Sequence, residues 1–365
     1  MTVGGLPLRD DLRGRTPYGA PQLDVPVRLN VNENPFPPSA EVARAIGDAV
    51  ARVAIGLNRY PDRDATVLRV ALAAYLGHGL GTERVWAANG SNEIMLQLLQ
   101  AFGGPERVAL GFSPTYSMYP DYCRDTFTRY VTAPRSSTFE VEPEAAVSAI
   151  ATHSPSVVLL ASPNNPTGTA LPLSTVRTVC EASDGIVVVD EAYAEFRRAD
   201  TPSALTLLDE FPRLVVTRTM SKAFALAGAR VGYLAASAEV VDAVQLVRLP
   251  YHLSSVTQAV ALAALQHSEG LLGRVDELRN ERDAMVGWLR SRRYVVAESD
   301  ANFVLFGRFA DRHAVWRSLL DQGVLVRETG PDGWLRVSIG TPAENQAFRN
   351  ALQTAVPTAG EEIPA

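Results

Sequence analysis

Short apolar runs rich in β-branched residues alternate along this chain with stretches whose apolar side chains recur at helical spacing. Val85 to Ala88, Val108 to Leu110, Ser156 to Ala161, Ile186 to Val189 and Leu214 to Thr217 read as buried strands. Ser39 to Val53 and Ala65 to Leu76 read as helices around a loop at Leu57 to Asp64, and a helical pattern follows Glu93 as far as Phe102. This alternation predicts a mostly parallel sheet flanked by helices, an α/β fold. Toward the C-terminus, Ser255 to Arg293 reads as long helical segments. Beyond them come strand-like Val295-Val296, Phe303 to Phe306, Val324 to Arg327 and Leu335 to Ile339, with helices at Arg312 to Leu320 and Ala343 to Thr354. Arg9 to Asn30, punctuated by Pro and Gly, reads as an extended arm, and Ala359-Gly360-Glu361-Glu362 as a frayed tail. Neither an internal repeat nor a low-complexity tract is visible.

Each strand of the first group runs into a polar loop, and in parallel sheets ligands sit beyond the carboxyl ends of the strands. The most telling loop is Thr219-Met220-Ser221-Lys222, with Arg230 eight residues after the lysine. An amine at a strand exit can condense with an aldehyde, while neighbouring hydroxyls and a guanidinium hold a phosphate. Taken alone, Lys222 reads equally as a solvated surface lysine. Asp190 ends an apolar strand, where an unpaired carboxylate is costly to bury. It can keep a pyridine nitrogen protonated, or cap the segment that follows. Asn165 and Tyr193 can donate hydrogen bonds to a ring oxygen, though Asn165 can also brace its Pro-rich turn. Ser91 and Asn92 open a helix whose free N–H groups suit a phosphate. Tyr116 can stack on a planar ring or pack in the core.

The chain has 365 residues, enough for a large and a small domain, and a formal net charge of −6 that leaves no basic footprint for nucleic acid. Two cysteines far apart, Cys123 and Cys180, suggest neither a disulfide framework nor a zinc site, and the five histidines have no metal-ligand spacing. No metal is expected. Met1 to Arg15 has no apolar core of a signal segment, and the alanine-rich Leu234 to Val247 stretch contains acids, so a cytoplasmic protein without a membrane span is expected.

Ordered motifs carry a resemblance over nearly the whole chain. They are Asn32-Glu33-Asn34-Pro35, Asn58-Arg59-Tyr60-Pro61-Asp62, Ala88 to Glu93, Ser162 to Gly168, Asp190 to Phe196, the Lys222 segment, Gly323 to Arg327 and Leu335 to Thr341. With these the chain resembles the fold-type I pyridoxal-phosphate aminotransferases, and among them the histidinol-phosphate aminotransferases. Leu12-Arg13-Gly14 and Pro17 to Pro21 resemble their actinobacterial branch.

The resemblance implies an N-terminal arm or lid over 1–37, a large cofactor domain with a seven-stranded sheet over 38–254, and a smaller α/β domain over 255–365. It implies that Lys222 binds pyridoxal 5'-phosphate and moves the substrate proton. Asp190 would pair with the pyridine nitrogen, Asn165 and Tyr193 with the ring oxygen, and Tyr116 would stack. Ser91, Asn92, Thr219, Ser221 and Arg230 would hold the phosphate, joined by Tyr60 from the other subunit of a homodimer. Arg336 would bind a carboxylate, Arg327 with Arg336 the substrate's phosphate, and Tyr18 would cover the substrate.

Planar guanidinium suits both anions, although Glu328 or Asp332 could instead partner either arginine, each of which ends a short apolar run. The implied reaction converts L-histidinol phosphate and 2-oxoglutarate to imidazole acetol phosphate and L-glutamate in histidine biosynthesis. An aromatic amino-acid aminotransferase, a threonine-phosphate decarboxylase-like paralogue and a non-enzymatic regulatory protein binding the same cofactor are the alternatives. The main departure from the family pattern lies between Asp121 and Phe139. There Tyr119-Pro120-Asp121-Tyr122-Cys123 replaces a segment that often carries a histidine after Ser-Met.

Overall fold

The computed structural model describes residues 6–356, so the expected tail at 359–362 lies outside the described residues. The larger sheet has seven strands. In spatial order they are Val85–Ala88, Gly232–Ala235, Leu214–Thr219, Ile186–Asp190, Val157–Ala161, Val108–Ser113 and Arg129–Pro134. Gly232–Ala235 runs antiparallel to both neighbours, and the remaining pairs are parallel. The continuous apolar runs follow from coverage of both faces. Val158 and Leu160 join one core while Val157, Leu159 and Ala161 join another on the opposite face. Arg129–Pro134 is the edge strand, with only Ala133 buried, and its mixed sequence carries no apolar period.

Helix Ala40–Ala54 starts where Ser39 accepts the Val42 N–H, a side-chain cap for one of the helix's free donors. Helix Ser255–Gln266 lies against it and sends Ala261 and Ala264 into the large core. Helix Ser255–Gln266 therefore packs with the core of the larger sheet. The long helical stretch is three helices, Ser255–Gln266, Ser268–Leu272 and Val275–Ser291.

The smaller sheet is antiparallel, ordered Arg327–Glu328, Trp334–Ser338, Phe303–Gly307, Val295–Val296. The single strand expected from Val324 to Arg327 is broken. Val324–Leu325 pairs in parallel with Val27–Arg28 of the arm, and the chain switches sheets at Val326. The arm is thereby bound to the small unit, continuing through Leu29, whose N–H reaches Leu325 and whose carbonyl accepts from Ser338. Tyr193, Phe196 and Ala223, from loops of the large sheet, pack into the small unit's core. The two units thus share apolar contacts directly beneath the loop cluster.

Candidate active site

A cavity of about 280 Å³ opens beyond the carboxyl ends of the large-sheet strands, between the sheet, the arm and the small unit. Lys222 stands three residues past the strand Leu214–Thr219 and lines this cavity. Its Nζ donates to the Val31 carbonyl at 3.0 Å. Burial, with Arg336 and Arg230 nearby, lowers its pKa to about 8 from an ordinary 10.5, so a reactive neutral amine is within reach at mild pH.

Asp190 ends its strand opposite Thr217 on the next one, and the Thr217 hydroxyl donates to Oδ1 at 3.2 Å. The Ala192 N–H donates to the same oxygen at 3.3 Å, so the local capping role is also filled. Tyr119 donates to Oδ2 at 3.0 Å. All three partners are neutral, and burial raises the Asp190 carboxyl to about 6. A buried carboxylate ringed by neutral donors lacks only a cation. No sequence motif assigns Tyr119 a role. It lies directly after Ser117-Met118, in the segment where this chain departs from the family pattern, and that departure was the available signal.

A second corner of the cavity is built for an anion. Helix Ser91–Phe102 begins after Gly90, whose φ of 88° belongs to the left-handed region. A Cβ added at Gly90 would sit 2.6 Å from Arg230 Nη2, so the guanidinium occupies the space beside the helix start. Arg230 donates to Ser221 Oγ at 3.3 Å, and Thr219 Oγ1 accepts the Ser221 N–H at 3.1 Å. Ser91 and Asn92 line the cavity here, with Tyr116 adjoining, its hydroxyl 3.5 Å from Asn92 Oδ1. Two hydroxyls, a guanidinium and free helix N–H groups make a cradle whose chemistry suits a phosphate.

Across the cavity, Arg327 and Arg336 are register partners on adjacent strands, so two cations lie side by side. Arg336 stands in the middle of Trp334–Ser338 rather than at the end of the run, and is 6% exposed. It donates to Asn165 Oδ1 and to the Asn30 carbonyl, while its Nε has no partner among the described residues. Glu328 pairs with Arg312 and His313, and Asp332 with Arg312, so neither carboxylate satisfies these arginines. Burial without an anion lowers Arg336 to about 10.

Asn165 and Tyr193 adjoin each other, 3.4 Å from Nδ2 to the phenol oxygen. Tyr18 sits at the cavity rim, 53% exposed. Tyr60 is not brought to this cavity. It is 79% exposed and stacks on Tyr251 at 4.3 Å between ring centres. Three consecutive arm residues, to which no sequence motif assigns a role, also reach the site. Asn30 and Val31 present carbonyls to Arg336 and Lys222, and Asn32 donates to the Tyr193 hydroxyl at 3.0 Å.

Residues 25–352 match the family described as aminotransferase class I and II. The chain belongs to that family. It is 64% identical over 355 residues to a histidinol-phosphate aminotransferase of Thermobifida fusca, covering 97% of each chain. A protein of the same description from Frankia casuarinae is 62% identical, with 95% of this chain and 90% of that one covered. Among solved structures, a histidinol-phosphate aminotransferase from Sinorhizobium meliloti in complex with pyridoxal-5'-phosphate superposes with a TM-score of 0.82 at 25% identity, covering 91% of both. Among the described residues of this aminotransferase no helix is long and apolar enough to cross a membrane, and no group of side chains could hold a metal ion.

Proposed function

We propose that this aminotransferase uses pyridoxal 5'-phosphate to move the amino group of L-histidinol phosphate to 2-oxoglutarate. The products would be imidazole acetol phosphate and L-glutamate, in the histidine pathway and in the cytoplasm. The observation that carries the reading is the Arg327–Arg336 pair. Buried Arg336 and half-buried Arg327 form a double cation without a carboxylate partner among the described residues, opposite an amine and a second anion cradle. Shared names among relatives up to 64% identical support the choice of substrate.

The residues present fit the cofactor. Asp190 lacks a cation that a protonated pyridine supplies, and the Gly90–Arg230 cradle accepts a phosphate. When bound, pyridoxal phosphate provides the aldehyde that takes the amino group and the electron-withdrawing ring that acidifies the adjoining carbon. The chain's side chains do the remainder. Asp190 holds the proton on the ring nitrogen, and Asn165 and Tyr193 donate to the ring oxygen. Tyr116 covers a ring face, while Ser91, Asn92, Thr219, Ser221 and Arg230 hold the phosphate. Lys222 would take a proton from the substrate carbon and deliver it to the cofactor carbon on the far side of the transferred nitrogen. Arg336 grips a carboxylate or phosphate in turn, Arg327 chiefly the phosphate, and Tyr18 shields the mouth from water.

The test is turnover of histidinol phosphate, phenylalanine and threonine phosphate, each with 2-oxoglutarate. Preference for phenylalanine would replace the reading with an aromatic aminotransferase, and carbon dioxide release from threonine phosphate with a decarboxylase. Within this test, Arg327→Gln is expected to lower kcat/KM for histidinol phosphate roughly ten- to a hundred-fold, the worth of a charge-assisted contact. Phenylalanine, which lacks that phosphate, should be affected far less. Equal losses for both substrates would remove Arg327 from specificity.

Assembly belongs to the same reading. Ile55, Leu57 and Tyr60 lie on one exposed segment and Leu246, Leu249 and Tyr251 on another, joined by the Tyr60–Tyr251 stack. Such an apolar surface suits a two-fold dimer in which Tyr60 reaches the partner's phosphate cradle. Lys222→Ala and Tyr60→Phe chains, each impaired alone, should then regain activity when mixed under conditions of verified subunit exchange. Exchange without recovery would show that the sites are not shared.

A further inference from the structure

Asn32 is a buried residue of the arm, 1% exposed, with a φ of 58°. Four hydrogen bonds hold it. Its N–H donates to Ser338 Oγ at 2.9 Å, and its carbonyl accepts from Asn302 Nδ2 at 3.1 Å. Ser338 Oγ donates to Asn32 Oδ1 at 2.8 Å, and Asn32 Nδ2 donates to the Tyr193 hydroxyl at 3.0 Å. The direction of this chain is set by its first link. Because Ser338 Oγ accepts the Asn32 N–H, its own proton is free to point at Oδ1, which turns the amide's NH2 toward Tyr193. The Tyr193 oxygen therefore has one lone pair engaged by Asn32. Its own proton is left to donate into the cavity, where Tyr193 sits beside Asn165 and Asp190. Ser338 lies on the small unit's strand Trp334–Ser338, two residues from Arg336, and Asn302 directly precedes that unit's strand Phe303–Gly307.

We propose that Asn32 is a positioning residue that aims the Tyr193 hydroxyl at the cofactor's ring oxygen, and that the small unit controls this aim through Ser338. The inference rests on the pyridoxal-phosphate reading of the cavity. A hydroxyl with an engaged lone pair is a stronger and better-directed donor. Donation to the ring oxygen draws charge from it and loosens its hold on the proton of the linked Lys222 nitrogen, so that proton leaves at lower pH. Substrate anions drawn to Arg336 bear on the strand that carries Ser338, which links anion binding to the acidity of the reacting nitrogen.

The experiment is a pH titration of the visible absorption band of the cofactor-loaded protein. Asn32→Gly removes the amide yet tolerates the left-handed backbone. Asn32→Asp keeps the side-chain shape but cannot donate when ionised, and serves if the glycine variant folds poorly. Both are expected to raise the midpoint by about one pH unit or somewhat less, the scale of a lost hydrogen bond to a neighbouring atom. Tyr193→Phe should raise it at least as much. The double variant Asn32→Gly/Tyr193→Phe should titrate where Tyr193→Phe does, since the amide acts only through the phenol. A midpoint unmoved in the Asn32 variants but displaced in Tyr193→Phe overturns the inference, as do additive shifts in the double variant. A midpoint unmoved in Tyr193→Phe overturns instead the ring-oxygen assignment beneath it. Loss of packing alone lowers Tm without that dependence on Tyr193.

Discussion

Lys222→Ala is expected to abolish transamination while leaving pyridoxal phosphate bound. Two separate functions are lost with this side chain, the amine that attaches the cofactor and the base that shifts the substrate proton. General acid–base catalysis alone contributes about 10²- to 10⁴-fold, and the loss should reach at least that size in kcat. Binding persists because the phosphate cradle of Arg230, Ser221 and the helix start at Ser91 is untouched, as is Asp190. The loaded variant should show the spectrum of the free aldehyde, retained through gel filtration. The wild type adds a pH signature. Its lysine is held near pKa 8 rather than 10.5, chiefly by burial. An amine attacks only when neutral, so attachment of added cofactor should rise through pH 8 and level off above it. A rise centred near 10 would mean that Lys222 is not so enclosed, and a variant turning over within tenfold of wild type would end its catalytic assignment.

Which parts of this molecule could be read from sequence follows from how each signals itself. The strands at Val157–Ala161 and Ile186–Asp190 are buried on both faces, so they stand out as unbroken apolar runs. Arg129–Pro134, at the sheet edge, needs no such run and leaves no mark. Gly232–Ala235 is short and antiparallel within a parallel frame, and only the register with Val85–Ala88 and Leu214–Thr219 reveals its place. The break at Val326 is equally silent, because both halves are apolar enough to be one strand while their partners come from distant segments. Side chains such as Lys222, Asp190 and Asn165 are legible because polar groups at strand exits contrast with their surroundings. Val31 and Asn30 act through backbone carbonyls, which no residue type encodes. Tyr119 reads as an ordinary aromatic until its hydroxyl is placed beside Asp190, 71 residues away.

Arg336→Met is expected to combine a large loss of activity with no loss of fold stability, and the combination separates a binding residue from a structural one. The guanidinium is buried, rests over the Phe303 ring at 5.1 Å, and is held by an amide oxygen and a carbonyl rather than a carboxylate. Its pKa, pushed down to about 10, records that the charged form is costly there. Arg327 beside it adds repulsion. Methionine has an unbranched apolar side chain that fills irregular space, and replacing an unpaired buried charge by a hydrophobe is often neutral or stabilising. The cofactor-free variant should therefore melt at or above the wild-type Tm. Removing one partner of a buried charge pair costs about 2–5 kcal/mol in binding, roughly thirty- to several-thousand-fold in kcat/KM. Both half-reactions should suffer, since glutamate offers a carboxylate and histidinol phosphate a phosphate to the same fork. Added 2-oxoglutarate should raise the wild-type Tm, because a ligand that binds only the folded state stabilises it, and should do so much less in the variant. A variant that melts well below wild type would mark Arg336 as a structural residue. Unimpaired turnover of glutamate would show that its carboxylate is held elsewhere in the cavity.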